Sequence, residues 1–241
     1  MKDLKKKILK KKVAIFDIDG TIFRSSLVIE LVEALIEKGL FPNGADREYR
    51  KSHKQWRDRK GDYQKYIDEV VAVFMKNIKG IHYGEFADVA EEVIAIQKNK
   101  TYIYTRDLIG KLKKKKYFLL AISQSPKTIL EPFCNHLGFD KVYGRIYEIG
   151  PQSRFTGKIL EEQLIENKSN VVRRAIDKEN LTLDNSVGVG DTEWDISFLE
   201  MVDEPICFNP NKKLFQYAKL NDWKVVVERK DVIYEIQNGS K

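Results

Sequence analysis

Two hydrophobic patterns alternate along the chain. Short, nearly continuous apolar runs stand at "VAIF" (13–16), "YFLLAIS" (117–123) and "SVGVGD" (186–191), and each gives way to polar residues. Runs of this length bounded by polar turns predict buried strands. Between them, apolar residues recur at helical spacing. "LVIELVEALIEK" (27–38) predicts a helix ending at Gly39. From about 45 to 98 the chain is polar and amphipathic, with Tyr63, Tyr66, Val70, Val73 and Phe74 on one helix face and 85–97 again helical. Further helices are predicted at 101–116 and 127–137, and further strands at "FDKVYG" (139–144), "EPICFN" (204–209) and "WKVVVE" (223–228).

Strands alternating with helices predict an α/β protein with a Rossmann-like three-layer core around a parallel sheet. The long helical stretch after the first strand predicts an inserted helical cap. The expected division is a core of residues 1–24 and 100–241 with a cap of residues 25–99. No internal repeat or disordered linker interrupts this pattern.

Composition narrows the chemistry. The chain has 241 residues and only two cysteines, Cys134 and Cys207, neither in a CxxC or Cys/His spacing. A zinc centre and a disulfide framework are therefore not expected, and both thiols are read as small apolar packing groups. Net charge is +7, much of it from Lys5–Lys7, Lys10–Lys12 and Lys113–Lys116. With no basic-aromatic stacking pattern or DNA-binding motif, these blocks read as solvated faces, and no nucleic-acid partner is expected. A positive surface also suits a phosphorylated substrate. "MKDLKKKILKKK" is followed by an apolar run of only Val13–Phe16, too short for a secretory leader or a membrane span. A cytoplasmic location is expected; the oligomeric state is left open.

The predicted strands end in chemistry-bearing groups: Asp17 and Asp19, Ser123, then Asp191 with Asp195. Open parallel sheets bind ligands at the carboxyl ends of their strands, so groups far apart in sequence can converge there. Several carboxylates in one cleft call for a hard cation, and oxygen-only ligands without histidine favour Mg²⁺. With such a cation, one carboxylate can attack phosphorus and a second can move the proton. Ser123 can hold a phosphoryl oxygen and a lysine can neutralise developing charge. A lone DxD is commonly an Asx-turn or a helix cap. The ordered set of strand–DxDGT, strand–Ser, Lys and strand–GDxxxD is far more specific.

That set resembles the haloacid dehalogenase superfamily of phosphatases, in its phosphoserine phosphatase-like branch. "DIDGT" (17–21) is similar to the first motif, "ISQS" (122–125) to the second, Lys168 in "ENKSNVVRRAI" to the third and "GVGDTEWD" (188–195) to the fourth. Lys158 competes with Lys168 for the third. "RFTGKI" (154–159) and "NPNKKLFQYAKLNDW" (209–223) extend the resemblance to nearly the whole chain. The resemblance implies a Mg²⁺-dependent phosphatase of a small phosphorylated metabolite, working through an aspartyl-phosphate. Asp17 would be the nucleophile and Asp19 the acid and base. Asp17, Asp19 (through its carbonyl), Asp191 and Asp195 would form the metal site. Ser123 and the N–H of Gln124 would hold the phosphoryl oxygens, Gly20 would permit a tight turn towards the phosphate, and Lys168 would steady Asp17. Transfer to an acceptor other than water, or a non-catalytic binding role on the same fold, are the alternatives.

Three positions depart from that branch. Ser26 stands where phosphoserine phosphatases carry a Glu facing the substrate's amino group, Trp194 where an Asn is usual, and Gln124 where a Gly is usual. Phosphoserine is therefore not the expected substrate, and a neutral or apolar-faced leaving group is. Glu30, one turn beyond Ser26, offers a compensating charge. Trp194 is expected either to wall the pocket or to pack the cap against the core. Tyr49, Trp56, Tyr63 and Tyr66 read as packing, and His53, His82 and His136 as surface or core residues.

Overall fold

A computed structural model of the protein describes residues 10–236, so the Lys5–Lys7 block lies outside the described residues. Eight strands form one sheet in the order β4-β3-β2-β1-β5-β6-β7-β8. They are β1 (Lys11–Phe16), β2 (Phe118–Pro126), β3 (Lys141–Ile149), β4 (Phe155–Leu160), β5 (Leu181–Gly190), β6 (Glu204–Phe208), β7 (Lys224–Arg229) and β8 (Val232–Ile236). The six central strands are mutually parallel. The expected parallel sheet is thus extended at both edges by an antiparallel strand, β4 on β3 and β8 on β7. Neither edge strand carries the buried apolar run that marks the interior ones. β4 contains Gly157 at φ +90°, and every residue of β8 is exposed.

The helices are α1 (Leu27–Glu37), α2 (Arg50–Arg57), α3 (Tyr63–Asn77), α4 (Tyr83–Gln97), α5 (Ile103–Lys114), α6 (Lys127–Leu137), α7 (Glu162–Glu166), α8 (Lys168–Glu179), α9 (Ile196–Leu199) and α10 (Lys212–Leu220). Strand alternation sorts the core into two layers. Val13 and Ile15 of β1 pack with Val171, Val172, Leu199 and Leu214 from the α8–α10 side. Ala14 and Phe16 pack on the opposite face with Leu31, Ile109, Leu130 and Phe133 from α1, α5 and α6. Helices cover both faces, which is why β1 and β2 read as continuous apolar runs rather than alternating ones.

Residues 25–99 contribute α1–α4 and no strand. Their apolar faces join the same cluster as the sheet, through Leu27, Leu31 and Leu35 of α1, Phe74 of α3 and Phe86 of α4. No helix among the described residues is long and apolar enough to cross a membrane. Cys134 and Cys207 are buried free thiols, as their composition reading expects.

Candidate active site

β1 and β5 lie side by side where the strand order reverses, so their carboxyl ends frame the crevice of an open α/β sheet. Asp17 follows β1 directly, and its backbone N–H donates to Val189 O at 2.9 Å. Asp191 follows β5 directly. One oxygen each of Asp17, Asp191 and Asp195 lies within 4.8 Å of the others, although Asp17 and Asp191 come from opposite ends of the chain.

Lys168 is the first residue of α8, whose N-cap Asn167 accepts a hydrogen bond from Ser169 N at 3.0 Å. Nζ reaches Asp17 Oδ1 and Asp195 Oδ1, both at 2.5 Å, with all three side chains buried. Lys158 is an exposed residue of β4. The geometry therefore separates the two lysines that the sequence leaves competing. Asp195 uses its other oxygen to accept from the backbone N–H groups of Asp191 (2.9 Å) and Thr192 (3.0 Å), so one carboxylate fixes both Lys168 and the turn after β5.

The electrostatics are those of a site short of positive charge. Burial pushes the Asp17 carboxyl up to about 7; the pull of Lys168 lowers it, while Asp195 and Asp19 add to the rise. Burial, then repulsion from Asp17 and Asp195, holds Asp191 well above the ordinary carboxylate range. Burial acts to lower Lys168, but Asp17 and Asp195 overcome it and hold the ammonium above its usual value. Asp17 Oδ2 is buried without a hydrogen-bond partner. An orphaned carboxylate oxygen beside a second carboxylate fits a hard cation, because such a cation satisfies the oxygen and cancels the repulsion.

Asp19 stands apart from this cluster. Its Oδ1 accepts from Leu27 N at 2.5 Å, at the start of α1, and its Oδ2 accepts from Ser123 Oγ (2.5 Å) and Ser125 Oγ (2.8 Å). Ser125 was not among the expected site residues. Its spacing of two from Ser123 was the available signal, since alternate residues of a strand share a face. Thr21 Oγ1 donates to Asp191 Oδ1 at 3.3 Å, tying the two halves of the crevice together. Gly20 has φ +82°, and a Cβ there would overlap the Asp191 carboxylate, so both its backbone and its missing side chain are required. The Gln124 side chain is occupied elsewhere, donating to Ile165 O at 2.7 Å and accepting from Arg145 Nε at 2.9 Å.

A cavity of about 400 Å³ opens from Gly20 and Asp191. Glu30 and Glu33 of α1, His53 and Trp56 of α2, and Tyr63 and Tyr66 of α3 line it. Trp194 does not border it; that side chain is 60% exposed, so it neither walls this cavity nor packs into the core. Ser26 is buried at the N-cap of α1, outside the lining. The aromatics of α2 and α3 do more than pack: Trp56, Tyr63 and Tyr66 face the cavity, as does His53. Tyr49 alone of the four expected packing aromatics lies outside it. A larger cleft, about 830 Å³, lies where β6 and β7 begin and includes Glu204 and Lys224. None of the converging carboxylates borders it, so size does not locate the chemistry.

The family model for haloacid dehalogenase-like hydrolases matches residues 14–200, which include Asp17, Asp19, Ser123, Lys168, Asp191 and Asp195. The chain belongs to that family. This hydrolase is 26% identical over 228 residues to a histidinol-phosphatase of Neisseria meningitidis serogroup C, covering 90% of this chain and 98% of the relative. Among solved structures, a Bordetella pertussis Tohama I protein of unknown function superposes with a TM-score of 0.70 at 17% identity, covering 90% of the hydrolase and 98% of that chain. A phosphoserine phosphatase, solved as an analogue of its phospho-aspartyl intermediate, superposes with a TM-score of 0.61 at 20% identity, covering 92% and 96%. These superpositions show the shared fold.

Proposed function

We propose that this hydrolase is a Mg²⁺-dependent phosphatase that cleaves a small phosphate monoester through an aspartyl-phosphate on Asp17. The observation that carries the reading is the buried Lys168, bound at once to Asp17 and Asp195 at the β1–β5 crevice. A nucleophilic carboxylate must approach a phosphate of like charge, and a fixed ammonium beside it lowers that repulsion. The names of the relatives, histidinol-phosphatase and phosphoserine phosphatase, support a phosphate ester as substrate.

In this reading Asp17 attacks phosphorus and the ester oxygen leaves with a proton from Asp19. Asp19 then takes a proton from the water that opens the aspartyl-phosphate, returning both carboxylates to their starting state. Leu27 N, Ser123 and Ser125 hold Asp19 for that exchange. Asp17, Asp191 and the Asp19 carbonyl would hold Mg²⁺, with Asp195 fixing the turn that presents Asp191. The cation, when bound, supplies charge neutralisation at the phosphoryl group. Residues 25–99 would serve as the cap, supplying the cavity wall that faces the leaving group. A binding module would not need a buried carboxylate held against its electrostatic preference, which favours catalysis over that alternative.

Phosphate release from a panel of phosphorylated metabolites, with Mg²⁺ and with EDTA, tests the reading. Mg²⁺-dependent release that vanishes in Asp17→Asn is expected. Release undiminished in Asp17→Asn, or none from any ester including p-nitrophenyl phosphate, overturns it.

A further inference from the structure

The carboxylate crevice is short of positive charge, yet the chain carries a net +7. Much of that excess stands at the other end of the sheet. Lys10–Lys12 lead into β1 and Lys113–Lys116 lead into β2, with Lys111 in the last turn of α5. β1 and β2 pair in parallel with Val13 opposite Phe118, so two lysine runs far apart in sequence enter the sheet side by side. All of these lysines are exposed. Asp17 follows the opposite end of β1, a six-residue strand and so roughly 20 Å long.

Lysines elsewhere on the surface are paired: Lys38 with Glu92, Lys54 with Asp58, Lys76 with Glu48 and Lys213 with Glu193. Those of the two runs and Lys111 form no ion pair among the described residues. Lys11 lies over the Phe118 ring at 5.8 Å, and Lys113 Nζ donates to Leu137 O at 3.3 Å. The neighbouring carboxylates do not balance them. Glu179 pairs with Lys141 at the start of β3, at 3.6 Å, and Asp140 accepts from Leu119 N at 2.8 Å. Asp184 of β5 adds one exposed carboxylate.

Cations in the last turn of a helix favour its dipole, which accounts for Lys111, Lys113 and Lys114. It does not account for Lys10–Lys12, or for Lys116, which stands at φ +60° where a glycine or asparagine is usual. Steering of a phosphorylated substrate does not account for them either, because the charge is at the end of the sheet away from the crevice. Unpaired like charges gathered on one exposed end suit an extended anionic surface.

We propose that this lysine-rich end of the sheet is a peripheral docking face for an anionic lipid surface, an orientation that leaves the β1–β5 crevice turned towards solution. Flexible ammonium groups respond to the diffuse charge of lipid headgroups without needing a fixed geometry. Nucleic acid is the weaker fit. Neither run contains an arginine for bidentate phosphate contacts or an aromatic ring on which a base could stack.

Flotation of the full chain with phosphatidylcholine vesicles, with and without about 30% phosphatidylserine, tests the proposal. At about 0.1 M salt only the anionic vesicles are expected to retain the protein, and retention should be lost at about 0.5 M. Each lysine near such a surface strengthens binding roughly fivefold, so the triple variant K111Q/K114Q/K115Q should bind about a hundredfold more weakly. Its melting temperature should match the wild type, a control that does not depend on turnover. The variant K38Q/K54Q/K76Q removes the same charge from residues 25–99 and should bind within a few-fold of the wild type. No retention on anionic vesicles, equal retention on neutral ones or an equal loss in both variants overturns the proposal. Tighter capture by a single-stranded RNA at matched phosphate would assign the face to nucleic acid and overturn it as well. Inorganic phosphate, added at matched ionic strength, should leave retention unchanged; displacement would mark a simple anion site instead.

Discussion

Lys168 Nζ lies 2.5 Å from Asp17 Oδ1 and 2.5 Å from Asp195 Oδ1, joining two carboxylates that arrive from β1 and from the turn after β5. Losing one partner of a buried ion pair strands the other charge, at about 3–5 kcal/mol. Lys168→Met is therefore expected to lower the melting temperature by several degrees and kcat by orders of magnitude. Thermal denaturation and turnover, measured with Mg²⁺, check both. Retained activity would separate Lys168 from the chemistry.

Asp17→Asn should abolish turnover, since an amide is a poor nucleophile at phosphorus. It should also change the pH dependence of stability. The Asp17 carboxyl in the folded protein sits near 7, above its ordinary 3.8. Between those values the folded state keeps a proton that the unfolded state has lost, so stability falls as pH rises through that window. In EDTA the wild type is expected to lose more thermal stability between roughly pH 4 and pH 7 than Asp17→Asn does. Parallel melting curves for the two proteins over that range would refute the raised titration of the Asp17 carboxyl.

Mg²⁺ should raise the melting temperature of the wild type, because a cation binding only the folded state stabilises it. Asp191→Ala should remove most of that rise. Asp195→Ala should lower stability even in EDTA, because Asp195 also accepts from the N–H groups of Asp191 and Thr192. Thermal shifts across a Mg²⁺ titration distinguish the two. Equal responses of the two variants would contradict this division of labour.

Gly20→Ala tests close approach. The substitution needs a left-handed backbone and sets a methyl against the Asp191 carboxylate. A loss of roughly 1–3 kcal/mol is expected from the backbone alone, together with weakened Mg²⁺ binding. Wild-type metal affinity in a folded Gly20→Ala protein would show that Asp191 is free to move.

Ser125→Ala removes one of three donors to Asp19. A protein hydrogen bond contributes about 0.5–1.5 kcal/mol net, so kcat should fall roughly two- to tenfold, with Ser125→Thr retaining much of it. An unaltered kcat in Ser125→Ala would leave Asp19 positioned by Leu27 N and Ser123 alone.

The sheet's interior was legible because strands buried on both faces must be apolar at every position. Val13–Phe16, the run around 118–123 and that around 186–190 announced themselves, and the interest of the polar groups at their ends, Asp17, Ser123 and Asp191, followed from the rule that open sheets bind ligands there. The edge strands were not legible. β8 is exposed along its whole length and β4 bends at Gly157, so neither shows a periodicity set by burial.

By itself the sequence determined the α/β class, the strands of the core and the carboxylates Asp17, Asp19, Asp191 and Asp195, because each is written in local pattern. Tertiary structure alone decided which lysine lies against Asp17 and Asp195. Lys158 and Lys168 are chemically identical, and only the path of the chain sets one on an exposed edge and carries the other, 151 positions from Asp17, to the start of α8 beneath the crevice. It also decided the character of the cavity. Glu30, Glu33, Trp56 and Tyr63 read locally as faces of polar helices, and they become one wall only when α1, α2 and α3 pack together. Charge and aromatic surface act over a few ångströms, and no distance along the chain reports that separation.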